Sequence, residues 1–148
     1  MSIEHLMTKT LVTLDIDDDL ARAKQVFEQH QIHHILILNG KELAGLLTDR
    51  DLFKNLSPTI GTSKETPKDT SLTKKKLHLV MSRELVTAGT GITINEAVLL
   101  FYDNHISCLP IVDDNFRPLG ILTWRDVIKI IAVQYRHKLA QPNKPVTS

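Results

Sequence analysis

The chain repeats itself. Met7–Thr13 reads MTKTLVT, and Met81–Thr87, 74 residues further on, reads MSRELVT. The offset persists through Ala23/Ala97, Phe27/Phe101, Ile32/Ile106 and Ile37/Ile111. One extra residue enters the second copy near Asn115. Beyond it Gly45–Asp51 (GLLTDRD) matches Gly120–Asp126 (GILTWRD) at an offset of 75. From Met7 to Lys54, 14 of 48 positions are identical in the two copies, against roughly one in fifteen by chance. Each copy has only about 50 residues, which is marginal for an independent core. Two copies are therefore expected to share stability in one pseudo-symmetric module.

Each copy carries the same pattern of elements. A short apolar segment (Leu11–Leu14 in the first copy) precedes an amphipathic helix. That helix has Leu20, Ala23 and Phe27 on one face in copy one, after the acidic cap Asp17–Asp19. In copy two, Thr93–Glu96 has capping-box spacing, and Ile94, Ala97, Leu100 and Phe101 form the stripe. Then come a compact apolar strand, Ile35–Leu38 or Leu109–Val112, and a turn: Asn39–Gly40 in one copy, Asp113–Asn115 in the other. The returning strand, Leu43–Leu47 or Leu119–Leu122, runs into a second helix. In copy two that helix is long, with Val127, Ile131, Tyr135 and Leu139 recurring along it. The order is βαββα twice, an α/β (α+β) fold. The division is unit one at residues 1–56, a polar linker at 57–77, unit two at 78–140 and a tail at 141–148. The linker is rich in Ser, Thr, Pro and Lys, reads as a surface connection, and ends in the solvated run Lys74–Lys76.

Composition excludes several classes. Lys and Arg number 18 against 17 Asp and Glu, so there is no electrostatic footprint for DNA or RNA. A single cysteine, Cys108, excludes an internal disulfide framework and fits a reducing compartment. No apolar run reaches the ~20 residues of a membrane span, and Met1–His5 lacks the pattern of a secretory signal. A cytoplasmic location is the expectation.

The duplicated Gly-x-Leu-Thr-x-Arg-Asp segment carries the chemistry. It stands at a strand-to-helix junction, where free backbone N–H groups and the helix dipole favour an anion. Thr48 and Thr123 can donate a hydroxyl to a phosphate oxygen, and Arg50 and Arg125 can add charge-assisted bonds. Asp51 and Asp126 can accept from two neighbouring hydroxyls, as on ribose. Thr-x-x-Asp is also capping-box spacing. Capping by itself would not need the Arg, yet both copies keep it while diverging elsewhere. The segment therefore reads as a ligand site whose Thr and Asp also cap the helix.

Tandem βαββα units ending in this segment resemble a pair of CBS domains, a Bateman module. The resemblance covers both repeats and includes the Met-x-x-x-x-Val-Thr openings and Ile106–Val112. It implies binding of an adenosine-type ligand (AMP, ADP, ATP or S-adenosylmethionine) in clefts between the two units. One cleft would combine Thr48, Arg50 and Asp51 with Val86, Ile106, Ser107 and Cys108. The other would combine Thr123, Arg125 and Asp126 with Val12, Ile32, His33 and His34. The chain departs from the pattern at Leu36, where copy two has Pro110, and at His33–His34, where copy two has Ser107–Cys108. The clefts should therefore differ in affinity or ligand. The resemblance also implies a homodimer through apolar helix faces, and regulatory output to an effector protein in trans. A ligand-free scaffold with degenerate clefts is the alternative.

Other candidates are weaker. His30, His33 and His34 lack the Cys or paired acids that would complete a metal site, leaving cleft lining or plain surface roles. Cys108 has no oriented His base and reads as a small packing residue. Trp124, at the variable position of the second motif, reads as packing or interface. No Walker loop, zinc-protease motif or nucleophile elbow occurs, so neither an enzyme nor a cofactor is expected.

Overall fold

The computed structural model describes residues 2–141. The tail beyond Gln141 lies outside the described residues. The chain has an α+β fold and forms two compact units. One comprises Thr10–Leu85 with Asn115–Pro118, and holds the body of copy one. The other comprises Met1–Lys9, Val86–Asp114 and Leu119–Ser148, and holds the body of copy two. We call them the copy-one and copy-two units.

The copy-one unit holds β1 (Thr13–Asp15), α1 (Leu20–His30), β2 (His34–Asn39), β3 (Glu42–Thr48) and α2 (Asp49–Asn55). β2 pairs parallel with β1 and antiparallel with β3, and the hairpin turns at Gly40 with φ 64°. Asp19 caps α1 by accepting from Arg22 N at 2.9 Å. Gln31 ends it in the left-handed region, at φ 50°. Leu20, Ala23, Val26 and Phe27 face Ile35, Ile37, Leu47 and Leu52 in one apolar core.

The copy-two unit has α4 (Ile94–Asn104), β4 (Cys108–Val112), β5 (Pro118–Thr123) and α5 (Trp124–Leu139); α3, defined below, belongs to the linker. Its core joins Ala97, Leu109, Ile111, Leu122 and Val127. The first strand expected of this copy is reduced to a single bridge, Ala88 to Ile111. The sequence explains the loss. Where copy one has Leu14–Asp17, copy two has Ala88-Gly89-Thr90-Gly91, and glycine weakens a strand through its backbone entropy.

The linker is more ordered than its composition suggests. Thr66 and Asp69 form a capping box that starts α3 (Pro67–Leu72), with Pro67 at the first turn. Asp69 is buried, and it accepts from Thr66 N at 3.0 Å and from the Thr59 hydroxyl. These bonds hold its carboxyl down at about 2. Beyond α3 the chain clamps onto the start of α1. Leu20 N and Ala21 N donate to Lys75 O and Thr73 O, and Lys76 Nζ donates to Asp17 O.

The units cut across the repeat boundaries in the same way twice. Ile3 and Met7, at the start of unit one, are buried in the core of the copy-two unit, and Thr8 bridges Ile121. Leu77, which precedes copy two, is buried in the copy-one core, and Ser82 bridges Leu46. Each opening methionine lies over the glycine of the motif in its unit. A Cβ at Gly120 would stand 2.5 Å from Met7 Sδ, and one at Gly45 would stand 2.3 Å from Met81 Sδ. These two glycines are required by close packing.

Candidate functional site

Each unit brings the start of its hairpin beside the N-terminus of its last helix. In the copy-one unit His34 is in register with Thr48, and Asp49 N donates to His33 O at 3.1 Å. In the copy-two unit Trp124 N donates to Ser107 O at 3.2 Å. The backbone frame is therefore the same in both, as the duplication requires.

On that frame the motif threonine is the N-cap. Thr48 Oγ1 accepts from Asp51 N at 3.1 Å, and Asp51 Oδ2 accepts from Thr48 N at 3.0 Å. Thr123 and Asp126 close the same reciprocal pair at 3.3 and 2.9 Å, and the Thr123 hydroxyl also donates to Asp126 Oδ2. The capping role read from the spacing is thus present in both copies. Both caps engage only Oδ2 of the aspartate, which leaves Oδ1 outside the cap and able to accept from a ligand hydroxyl. Arg50 and Arg125 are exposed at the first turn of their helices, so their guanidinium groups can meet an anion without first leaving a buried pair.

The apolar candidates divide between the two units. Val12 and Ile32 pack on the edge of the copy-one core, and Val86 and Ile106 on the edge of the copy-two core. Thr48, Arg50 and Asp51 thus share a unit with Val12, Ile32, His33 and His34, and Thr123, Arg125 and Asp126 share one with Val86, Ile106, Ser107 and Cys108, whereas the resemblance implied the crossed grouping.

The side chains that open the hairpins set the copies apart. His33 Nδ1 donates to Asp49 Oδ2 at 2.8 Å. Burial pushes the Asp49 carboxyl up, but the bonds from His33 and from Arg50 N outweigh it and hold the group below its usual range. Burial, and then the neighbouring His33, lower the pKa of His34, although Asp49 and Asp51 pull it back. At the matching position of copy two, Cys108 is buried, and its thiol is pushed up to about 12 by burial and by Asp126. A thiol so protonated is a poor nucleophile, which agrees with the packing role expected of it.

Asp49, the partner of His33, is the residue beside the candidate site that sequence reasoning missed. It occupies the variable position of the motif, and its partner is 16 residues away across the hairpin. With His33 it edges a groove of about 470 Å³ floored by Phe27, Ile32, Leu52 and Phe53. Among the described residues no group of three or more His, Cys, Asp or Glu could hold a metal ion. Nor is any described helix long and apolar enough to cross a membrane.

Known proteins place this architecture. The sequence profile of the CBS domain matches residues 3–58 and again 76–133. The uncharacterized protein MJ1426 of Methanocaldococcus jannaschii is 30% identical over 155 residues, covering 88% of this chain and 91% of its own. Inosine-5'-monophosphate dehydrogenase of the same organism is 30% identical over 127 residues, covering 85% of this chain. The chain spans only 23% of the length of that relative, and 62% of the uncharacterized protein MK0525 of Methanopyrus kandleri. Among solved structures, the CBS domain pair of protein MJ0100, in complex with 5'-methylthioadenosine and S-adenosyl-L-methionine, superposes with TM-score 0.74. It is 21% identical and covers 90% of this chain and 98% of its own. Protein MJ1225 of M. jannaschii gives TM-score 0.76 at 24% identity, covering 88% of this chain and 47% of its own. With two profile matches over its two repeats and CBS pairs as structural neighbours, the chain belongs to the CBS domain family and is a tandem CBS pair.

Proposed function

We propose that the chain is a regulatory module that binds an adenosine-type ligand and passes its occupancy to a partner protein in trans. The observation that carries this reading is the Thr-x-Arg-Asp end, present in both units with an exposed arginine and one aspartate oxygen outside the cap. The ribose diol would be taken by Asp51 and Asp126, and phosphate or another 5′ substituent would meet Thr48 and Arg50 or Thr123 and Arg125. Val12, Ile32, Val86 and Ile106 would wall the adenine, with His33, His34, Ser107 and Cys108 setting the differences between the sites. The adenosyl compounds held by the CBS pair of MJ0100 support the ligand class. The mechanism is population shift: the ligand favours whichever arrangement of the chain it binds better. A homodimer, binding without turnover, and a cytoplasmic location belong to the same reading.

The test is a melting-temperature panel with AMP, ADP, ATP and S-adenosylmethionine on wild type, Asp51→Ala and Asp126→Ala. Each protein is read against its own baseline because both aspartates also cap helices. A ligand at 100 times its Kd adds ~2.7 kcal/mol, on the order of 5–10 °C for a chain of this size. Absence of a shift with every compound would favour the ligand-free scaffold. A full shift in both variants would remove the aspartates from the site.

A further inference from the structure

The two units finish the start of their first long helix differently. In the copy-one unit α2 stops at Asn55, and Leu56 leaves the helix with extended backbone. The linker then folds back onto α1. The Thr59 hydroxyl donates to the buried Asp69 of α3, and Lys75 O and Thr73 O accept from Leu20 N and Ala21 N at 3.1 and 2.9 Å. In the copy-two unit α5 runs on to Leu139, past Ile131, the match of Leu56. Ile94 and Asn95 match Leu20 and Ala21, and among the described residues nothing accepts from their N–H groups. Leu20 is fully buried, whereas Ile94 is half-buried. A groove of about 550 Å³ opens there, lined by Ile94, Asn95, Val98 and Gln134 among others. Val98 matches Lys24, which attracts Glu65 of the linker, and Gln134 matches Thr59, which holds Asp69. The groove thus lies where the copy-one unit carries its linker strap.

The strap shows what such a place accepts. It is polypeptide whose carbonyl oxygens meet the first turn of a helix, where N–H groups have no intrahelical acceptor and the dipole end is positive. The lining then sets the side chains. The strap carries Lys74–Lys76 beside Asp17–Asp19, with Lys76 Nζ on Asp17 O at 3.0 Å and a backbone bridge between Asp19 and Lys76. The matches of Asp17–Asp19 are Gly91, Ile92 and Thr93, and no described residue lining the groove is charged. Its walls include Ile3, Ile92, Ile130 and Ile131. A charged side chain entering it would lose water without gaining a partner, whereas apolar side chains would cover exposed isoleucine.

We propose that this groove receives an uncharged, apolar peptide segment of a partner protein, which does for the copy-two unit what the linker does for the copy-one unit. Carbonyl oxygens of the segment accept from Ile94 N and Asn95 N, and its apolar side chains lie on Ile92 and Ile130. The copy-one unit, already strapped, takes no such segment. The proposal deepens the regulatory reading, and rests on it, by naming the surface that engages a partner in trans and the chemistry of the segment it takes.

Selection of a displayed random-peptide library on the full chain tests it, followed by fluorescence titration and amide NMR with the selected peptides. These should be uncharged and apolar, should move the Ile94 and Asn95 amide protons downfield, and should slow their exchange with solvent. A Cβ at Gly91 meets nothing within 4 Å, so Gly91→Trp fills the groove without displacing the chain and should weaken binding by about tenfold or more. Val98→Lys, which installs the copy-one residue, should do the same, whereas Lys24→Val should leave binding unchanged. Far-UV circular dichroism checks that each variant is folded, and Val98→Lys decides the matter if Gly91→Trp is not. Recovery of no peptide, recovery of charged peptides, or binding indifferent to both groove variants would each overturn the proposal. A fall in mass by light scattering on Gly91→Trp would give the groove to a second copy of the chain and overturn the partner assignment. Peptide binding in a chain with no thermal response to adenosyl compounds would keep the groove and overturn only the ligand reading.

Discussion

Replacing Gly120 by Ala separates two explanations of the glycine in the shared motif. If the glycine serves a ligand, the protein alone should tolerate a methyl group. The structure requires otherwise. The new Cβ would stand 2.5 Å from Met7 Sδ, 2.8 Å from Met7 Cγ and 3.1 Å from Thr8 O, where relaxed carbon contacts lie near 3.5–4.0 Å. Thr8 cannot retreat freely, because it exchanges two backbone bonds of 2.9 and 3.0 Å with Ile121. Met7 must therefore yield, and it is 9% exposed within the core. Overpacking at such a site costs ~1–3 kcal/mol, and expelling the side chain altogether approaches the ~2–5 kcal/mol of a Met→Ala truncation. We expect a loss of about 2–3 kcal/mol, read as a fall in the urea midpoint followed by circular dichroism. Met7→Ala opens the space that the new methyl needs. The double variant should therefore be less destabilised than the sum of the two singles by at least ~1 kcal/mol. Gly91→Ala, with nothing within 4 Å of its Cβ, is the control. A cost for Gly120→Ala under ~0.5 kcal/mol, or strict additivity with Met7→Ala, would refute the packing argument.

Three further outcomes follow from the same geometry. Thr123→Val should cost about 0.5–2 kcal/mol of stability by removing the cap of α5, measured by urea unfolding; Thr123→Ser should cost a few tenths. Because the His34 pKa is lowered in the folded state, the unfolded chain binds the proton more tightly. Stability should thus be full above the ordinary histidine value of 6.5 and fall as pH drops through the lowered pKa; His34→Gln should flatten that slope in pH-dependent melts. Asp69, at about 2 against an ordinary 3.8, contributes stability above pH 3.8 that is lost as pH falls towards 2. Asp69→Ala should speed hydrogen exchange at Thr66 and along α3 at neutral pH, while exchange in β2 stays unchanged.

Much of this could be read from residue order. Strands β2 to β5 lie within a residue or two of the expected segments, because compact apolar runs bounded by turn residues have few other ways to bury themselves. The capping boxes at Thr48 and Thr123 follow from spacing alone. The box at Thr66–Asp69 has the same spacing with a proline at the first turn, so the polar linker carries that signal too. The missing first strand of copy two was signalled by Gly89 and Gly91. By contrast, the His33–Asp49 bond joins residues brought together only by the hairpin. The contact of each methionine with its glycine links the opening of one repeat to the body of the other.

What the sequence determined by itself is local or periodic: the duplication, the alternation of helix and strand, and the caps that start the helices. These depend on neighbours a few residues apart, and the chain carries that information wherever it is placed. The tertiary structure decided which opening segment completes which unit, why Gly45 and Gly120 must be glycine, and how His33 is held. Those outcomes depend on distances of a few ångströms between residues far apart in sequence. Periodicity has no means of encoding such distances, and close packing resolves them.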